Sequence, residues 1–449
     1  MPADTACAPS DPTGGLKRIL GVGFGLAVVV GSILGIGILR TPGLVAAQLG
    51  EPSIILIVWL LGGLYTLVGA VCLAELGTML PKAGGYYVYA RRAFGSTAGF
   101  GVGWADWVTY CCVLGYISIA IGEFSAELVP ALASGAKVVS VTSLLALAAM
   151  QWNGLRISSW FQEWTSAVKF TAFLALILAA LVYSGSAAEG AGAAPSVATA
   201  ATGAGGFGFV GLIVALQSVV IAYGGWQSAL YFTEEDRDPA RNLPRSMIGG
   251  VVSVLVIYIL VNVALLVVLP MGDLATSILP AADAAQRLIG GQGSLVITIL
   301  SIISLPPLLN AILLIGTRIL FAMGRDGLFW SGTASVNAGG TPGAAMLVTT
   351  AVAFVLIVFG TFERLVAFAS FFLAANYVVS CLALITLRRR EPELPRPFRA
   401  WAYPWSVGIV CAGAVAFLVG FVLGDTTNSL AALSLLAAGL VGRRLVGAR

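Results

Sequence analysis

Runs of about 20 apolar residues recur from one end of this chain to the other, and a run of that length spans a bilayer as a helix. Lipid offers no hydrogen-bond partner to an open backbone edge, so the recurrence fixes the class as an all-α membrane protein. Twelve spans can be read, at 19–46, 53–80, 98–128, 137–152, 158–183, 206–232, 246–269, 294–323, 343–360, 363–387, 403–424 and 427–446. Composition agrees: 10% of the 449 residues are charged, against roughly 25% in a soluble domain.

The basic residues give the orientation. With the N-terminus inside, 19 of the 24 Lys and Arg fall at cytoplasmic loops or ends, leaving only Arg40, Lys137, Lys169, Arg287 and Arg364. Such a bias implies an even number of spans and cytoplasmic termini. The formal charge of +4 is spread over six short loops, so it reads as a topology signal, and no nucleic-acid partner is expected.

The six cysteines are Cys7, in the tail, and Cys72, Cys111, Cys112, Cys381 and Cys411, in spans. None falls in an expected outer loop, so no structural disulfide is expected. The chain has no histidine, which removes the usual haem and zinc ligands, and no cofactor is expected. There is no phosphate-binding Walker motif, no metal-spaced Cys/His set, and no nucleophile constellation of an enzyme. The first 16 residues are polar and the first apolar run is long, so no cleavable signal is expected.

The first span is interrupted. It reads "GSILGIGILRTPG" at 31–43, with Gly31, Gly35 and Gly37 ahead of Pro42 and Gly43. Glycine costs about 1 kcal/mol inside a helix and proline about 3. The sixth span carries Gly224–Gly225 near its middle. Glycines also permit close helix packing, but paired breaks five spans apart are the sequence sign of a transporter built from inverted repeats. An unwound backbone at mid-membrane bares N–H and C=O groups, which is tolerated only along a cavity. Those groups suit a zwitterion, with its carboxylate on N–H groups and its ammonium on carbonyls.

Four stretches carry a family resemblance: "GSILGIGILRTPG", "AELGTMLPKAGGYYVYARRAFG" (74–95), "AYGGWQSALYFTEEDRDPARNLPRSM" (222–247) and "RILFAMGRDGLFW" (318–330). Across nearly its whole length the chain resembles the amino acid–polyamine–organocation transporter superfamily, and in particular its L-type and related bacterial branch. The resemblance implies a leucine-transporter-type fold: five plus five inverted-repeat helices, the first and sixth broken, and two accessory helices. The expected units are a tail at 1–17 and a transport core at 18–387, with repeats at 18–184 and 206–387. A linker at 388–402 and accessory helices at 403–449 complete the chain.

Carried over by position, the substrate carboxylate meets the N–H groups of Ile36 and Gly37. The ammonium meets carbonyls of Ile33, Ile221 and Gly224. Leu34, Gly35 and Ala222 complete the turns, and Gln227 and Ser228 lie by the side-chain pocket. Ile36 stands where relatives often have serine, and Ile221 where they often have an aromatic gate. Lys169, within the fifth span, resembles the lysine that replaces a sodium ion in sodium-independent members. Its implied partners are the Gly31 carbonyl and a hydroxyl such as Ser301 or Ser304. It acts either as a fixed cation or, if its proton is labile, as a coupling site.

Charged groups within a membrane are functional candidates by default. Glu75 is expected to pair with Arg91 or Arg92. Glu123 faces either a water-filled path or the outer interface, and Tyr116 is deep enough to approach the pocket. Asp106 and Glu163 are expected to be solvated near the inner surface. Trp104, Trp107 and Tyr110 are expected as interface anchors and packing. The outer loop 129–137 lacks a cysteine for a disulfide-linked heavy chain. The reading is a sodium-independent permease for neutral amino acids in a cell (inner) membrane, working by exchange or proton coupling. The alternatives are a polyamine or cationic amino acid permease and, from another class, a channel.

Overall fold

Glycine and proline punctuate the chain into its helices. In the computed structural model, which describes residues 16–190, 208–337 and 339–447, these are α1 (Val22–Ile33), α2 (Ile36–Leu49), α3 (Pro52–Met79), α4 (Tyr86–Phe94), α5 (Ser96–Leu128) and α6 (Ala136–Trp152). There follow α7 (Leu155–Gly190), α8 (Phe209–Ala222), α9 (Pro239–Val268), α10 (Met271–Thr276), α11 (Pro280–Ile289) and α12 (Gly293–Arg325). The last four are α13 (Gly343–Phe359), α14 (Phe362–Arg390), α15 (Trp405–Gly424) and α16 (Thr426–Gly447). Gly50, at φ +64°, ends α2 in the left-handed region, and Pro52 opens α3 two residues later, the usual division of labour between these residues.

Among the described residues nine helices are long and apolar enough to cross a bilayer, or ten if the bent pair α1 and α2 is one span. Two more expected spans are helices that do not meet the same test, α13, with 17 residues, and α16. Helix α7 runs to Gly190, past the expected span end at 183 and into an Ala/Gly/Ser-rich stretch; alanine favours helix there. The rest of that stretch, the tail with Cys7, and Arg449 lie outside the described residues.

The arginine-rich segments gather on one face. Arg92 reaches Glu391 across the linker, Arg325 reaches Glu234, and Arg443 donates to Ser96 O at the start of α5. The opposite face carries Lys137, which donates to Val358 O, and the Arg287–Asp273 pair. Between the faces α5 is the central helix, packed on α12, α14, α4, α6 and α13, while α3 and α1 pack on α9. The short helix α4 follows α3 at the arginine-rich face, and its Tyr86, Tyr87 and Tyr89 are buried against the bundle.

Candidate functional site

Both glycine clusters interrupt their helices. Helix α1 ends at Ile33, Leu34 and Gly35 are extended, and α2 restarts at Ile36 with a 42° bend. Gly35 caps α2 without a side-chain bond, so the first N–H groups of α2, on Ile36 and Gly37, have no preceding turn to accept them. Helix α8 stops at Ala222. After Tyr223 and Gly224 the chain turns at Gly225, at φ +109°, and continues as the 3₁₀ segment Trp226–Phe232. Only glycine takes that φ freely. A Cβ on Gly225 would also lie 2.7 Å from Ser32 O, so the two breaks lie against each other.

Tyr258 of α9 ties them. Its hydroxyl lies 2.8 Å from Ile33 O and 3.0 Å from Ala222 O, the last carbonyls of the two interrupted helices. Each would otherwise be an orphan acceptor. Tyr258 was not legible as a site residue, since nothing near it in sequence is unusual.

A cavity of about 170 Å³ opens beside the breaks. Ser32, Ile221, Gly224, Gly225, Gln227 and Ser228 supply its backbone-rich wall. Thr109, Tyr110, Val113 and Tyr116 come from α5, Leu308 and Ile312 from α12, residues 366–377 from α14, and Phe417 and Phe421 from α15. Lining residues on α14 and α15 lie in the halves of those helices away from the arginine-rich face. Tyr377 donates to Gln227 Oε1 at 3.3 Å and stacks on Trp226. The Ser32 hydroxyl is buried there without a partner.

Of the expected substrate residues, Ile221, Gly224, Gln227 and Ser228 line the cavity, as does Tyr116. Ile33, Leu34, Gly35, Gly37 and Ala222 stand behind the wall. Leu308 Cδ2 lies 3.7 Å from where a Gly35 Cβ would be, and Ala222 Cα lies 3.2 Å from the corresponding point of Gly37. Nothing is described of the Ile36 side chain. Tyr110, expected as packing, faces the cavity, and Ser32, Thr109 and Tyr377 were missed. A hydroxyl one residue from Gly31 was a visible signal; the inward face of α14 gave none.

Lys169 is completely buried. Its ammonium donates to Gly31 O at 3.0 Å and to Ser304 O at 3.1 Å, joining α7 to the last turn of α1 and to α12. The second acceptor is a carbonyl where a hydroxyl was expected. The Ser301 hydroxyl donates to Ile297 O in its own helix, and the Ser304 hydroxyl has no partner. Pro306 and Pro307 interrupt the ladder of α12 just beyond. A polar column continues toward the arginine-rich face: Ser166 donates to Ala27 O, and Asn310 links Gln162 to Ser158.

That face is closed by ion pairs. Glu235 and Arg318 are both fully buried and form a two-pronged bond at 2.9 Å. Leu20 exchanges backbone bonds with Glu235 and Arg237, stitching the lead-in to α1 to the turn after the 3₁₀ segment. Glu75 pairs with Arg388 and Arg396, not with Arg91 or Arg92, which bind Asp326 and Glu391. A bend of the linker brings Ala400 N to the same carboxylate. Asp106, expected to be solvated, is fully buried, while Glu163 is exposed. Glu123 is exposed near the far end of α5 and is absent from the described cavity lining. Trp107 is buried and donates to Thr349, and Trp104 donates to Leu435 O.

The family model for "Amino acid permease" matches residues 25–440. The chain is 30% identical to the serine/threonine exchanger SteT of Bacillus subtilis over 92% of each chain. It is 29% identical to the large neutral amino acids transporter small subunit 2 of Mus musculus, covering 93% of this chain and 83% of that one. It is also 30% identical to the Asc-type amino acid transporter 1 of the mouse, covering 86% and 73%.

Proposed function

The chain belongs to the amino acid permease family, and from that premise we propose that it is a sodium-independent secondary-active transporter moving neutral L-amino acids by alternating access. One observation carries the choice of substrate class: no Asp, Glu, Lys or Arg lies among the described residues lining the cavity. A cationic or anionic side chain would enter an apolar wall without a counter-charge, at a cost of several kcal/mol. An aliphatic side chain meets no such cost, and a hydroxylated one needs only a partner such as Ser32 or Thr109.

In this reading the substrate carboxylate sits on the N–H groups of Ile36 and Gly37, aided by the positive end of α2. Its ammonium takes free lone pairs on the carbonyls of Ile33, Ile221 and Gly224. Tyr258 already donates to Ile33 O, but a carbonyl oxygen accepts twice. Lys169 takes the place of a sodium ion between α1 and α12. The termini face the cytoplasm of a bacterial inner membrane. The chain works without a disulfide-linked subunit, since the segment 129–137 has no cysteine.

Uptake competition in proteoliposomes tests this. L-Alanine or L-leucine is expected to compete with labelled substrate, in the presence or absence of sodium. Competition by putrescine or L-arginine alone would make the chain a polyamine or cationic amino acid permease. Flux that never saturates would make it a channel.

A further inference from the structure

Three carboxylates are fully buried among the described residues: Glu75, Asp106 and Glu235. Two are matched by guanidinium groups, Glu75 by Arg388 and Arg396, and Glu235 by Arg318. Asp106 has no cation. Its two oxygens accept from neutral donors only: the Tyr231 hydroxyl at 2.8 Å and the Asn376 amide at 3.2 Å. An ionised carboxylate out of water normally keeps a counter-charge or takes up a proton.

Among the described residues the surroundings supply no hidden partner. The titratable groups around Asp106 are Tyr231 of the 3₁₀ segment, Tyr86 of α4, Tyr377 of α14 and Tyr110 on its own helix. On α12, Arg318 and Arg325 are engaged by Glu235 and Glu234. On α4, Arg91 and Arg92 are engaged by Asp326 and Glu391, and on α14 Arg388 is engaged by Glu75. Lys137 of α6 and Arg443 of α16 bond to carbonyls elsewhere, and α13 has no ionisable side chain.

The position matters as much as the isolation. Tyr110, one turn along α5, lines the cavity, as do Gln227, one turn before Tyr231, and Tyr377, next to Asn376. Asp106 therefore lies one layer beneath the cavity floor, where α5, α14 and the half-helix after the second break converge. The rings of Tyr231 and Tyr110 are 5.3 Å apart, and the Tyr110 hydroxyl is buried with no partner. The pair of tyrosines leads from the cavity to the carboxylate.

We propose that Asp106 binds a proton that travels with the amino acid. As a carboxylate it holds Tyr231 and Asn376, and with them the closed layer. Protonated from the cavity side, it becomes a donor. Its O–H turns to the Tyr231 oxygen, and Tyr231 turns its own hydrogen to Tyr110. The charge-assisted bond that pins the 3₁₀ segment to α5 is thereby exchanged for weaker neutral ones to Asp106 and Tyr110. When the layer opens toward the arginine-rich face, the proton leaves to water.

The inference rests on the transport reading, and its test is chosen so that the two fail separately. Full-length protein is reconstituted in vesicles containing a pH dye, and L-alanine is added outside. The wild type is expected to acidify the lumen on substrate addition, and an inward proton gradient is expected to speed uptake several-fold. D106N is expected to lose both effects while keeping exchange of labelled for unlabelled alanine at symmetrical pH. Y231F removes a donor that favours the charged form, so the pH of half-maximal uptake is expected to move upward. D106E restores the gradient response.

Wild-type uptake without proton movement overturns the proposal and leaves the transport reading intact; no uptake at all overturns the transport reading. A purely structural Asp106 would lower D106N rates equally at every pH, and that result also overturns it. Should D106N fail to reach the membrane, Y231F decides: an unmoved pH profile refutes the proposal.

Discussion

Removing the charge of Lys169 while keeping its bulk is the sharpest test of the helix-1 break. Lys169→Met leaves Gly31 O and Ser304 O without the donors they now have at 3.0 and 3.1 Å. Gly31 O cannot fall back on its own helix, because Gly35, which would donate to it, is extended. A hydrogen bond to a charged group contributes about 1.5–3 kcal/mol. Burying an ammonium costs several kcal/mol as well, so the net change in fold stability is small. The effect on transport is different in kind. Only the interaction that differs between conformations shifts their populations. In the proposed transport cycle the bond to α1 changes as that helix tilts, against α7 and α12 as scaffold. One such bond corresponds to a shift of roughly 10- to 150-fold in the population of the braced state. The assay pairs labelled uptake in vesicles with the size-exclusion profile of the purified protein. A monodisperse Lys169→Met variant that transports within about twofold of wild type would refute the bracing role. Lys169→Ala, which adds a cavity, is expected to be worse.

Tyr258→Phe removes the hydroxyl shared by Ile33 O and Ala222 O, a net loss of about 0.5–1.5 kcal/mol; substrate affinity by calorimetry is expected to fall roughly 2- to 12-fold, and unchanged affinity would mean the two breaks need no tie. Gly37→Leu places a side chain where Ala222 Cα is 3.2 Å away, forcing the half-helices apart at about 1–3 kcal/mol; wild-type binding in that variant would reduce Gly37 to a neutral packing position. Glu235→Gln leaves Arg318 buried and unmatched, which costs about 3–5 kcal/mol; its thermal midpoint is expected to fall clearly below that of the double variant Glu235→Gln/Arg318→Met. Equal midpoints for the single and double variants would show that an unmatched Arg318 carries no cost.

What the sequence discloses about this molecule is what is decided locally. A glycine cluster weakens its own helix, so the break at Leu34–Gly35 and the turn at Gly225 could be located from seven-residue windows. A lysine amid apolar neighbours marks itself, and its link to Gly31 came from family resemblance. The polar skeleton is decided otherwise. Glu75 is matched by Arg388, 313 residues away, and Glu235 by Arg318, 83 away. Arg91 and Arg92, nearer to Glu75 in sequence, point to other acids because α4 turns them along the arginine-rich face. Asp106 looks no different in sequence from either glutamate, yet the helices that meet it bring a tyrosine and an asparagine, 125 and 270 residues away. A buried carboxylate supplied with a guanidinium is fixed in its charge and serves as a clamp. One supplied only with neutral donors has no counter-charge to hold it ionised, which leaves it open to a proton. The assembly of the bundle, rather than any residue's own character, thus divides three similar acids into two clasps and one proposed switch.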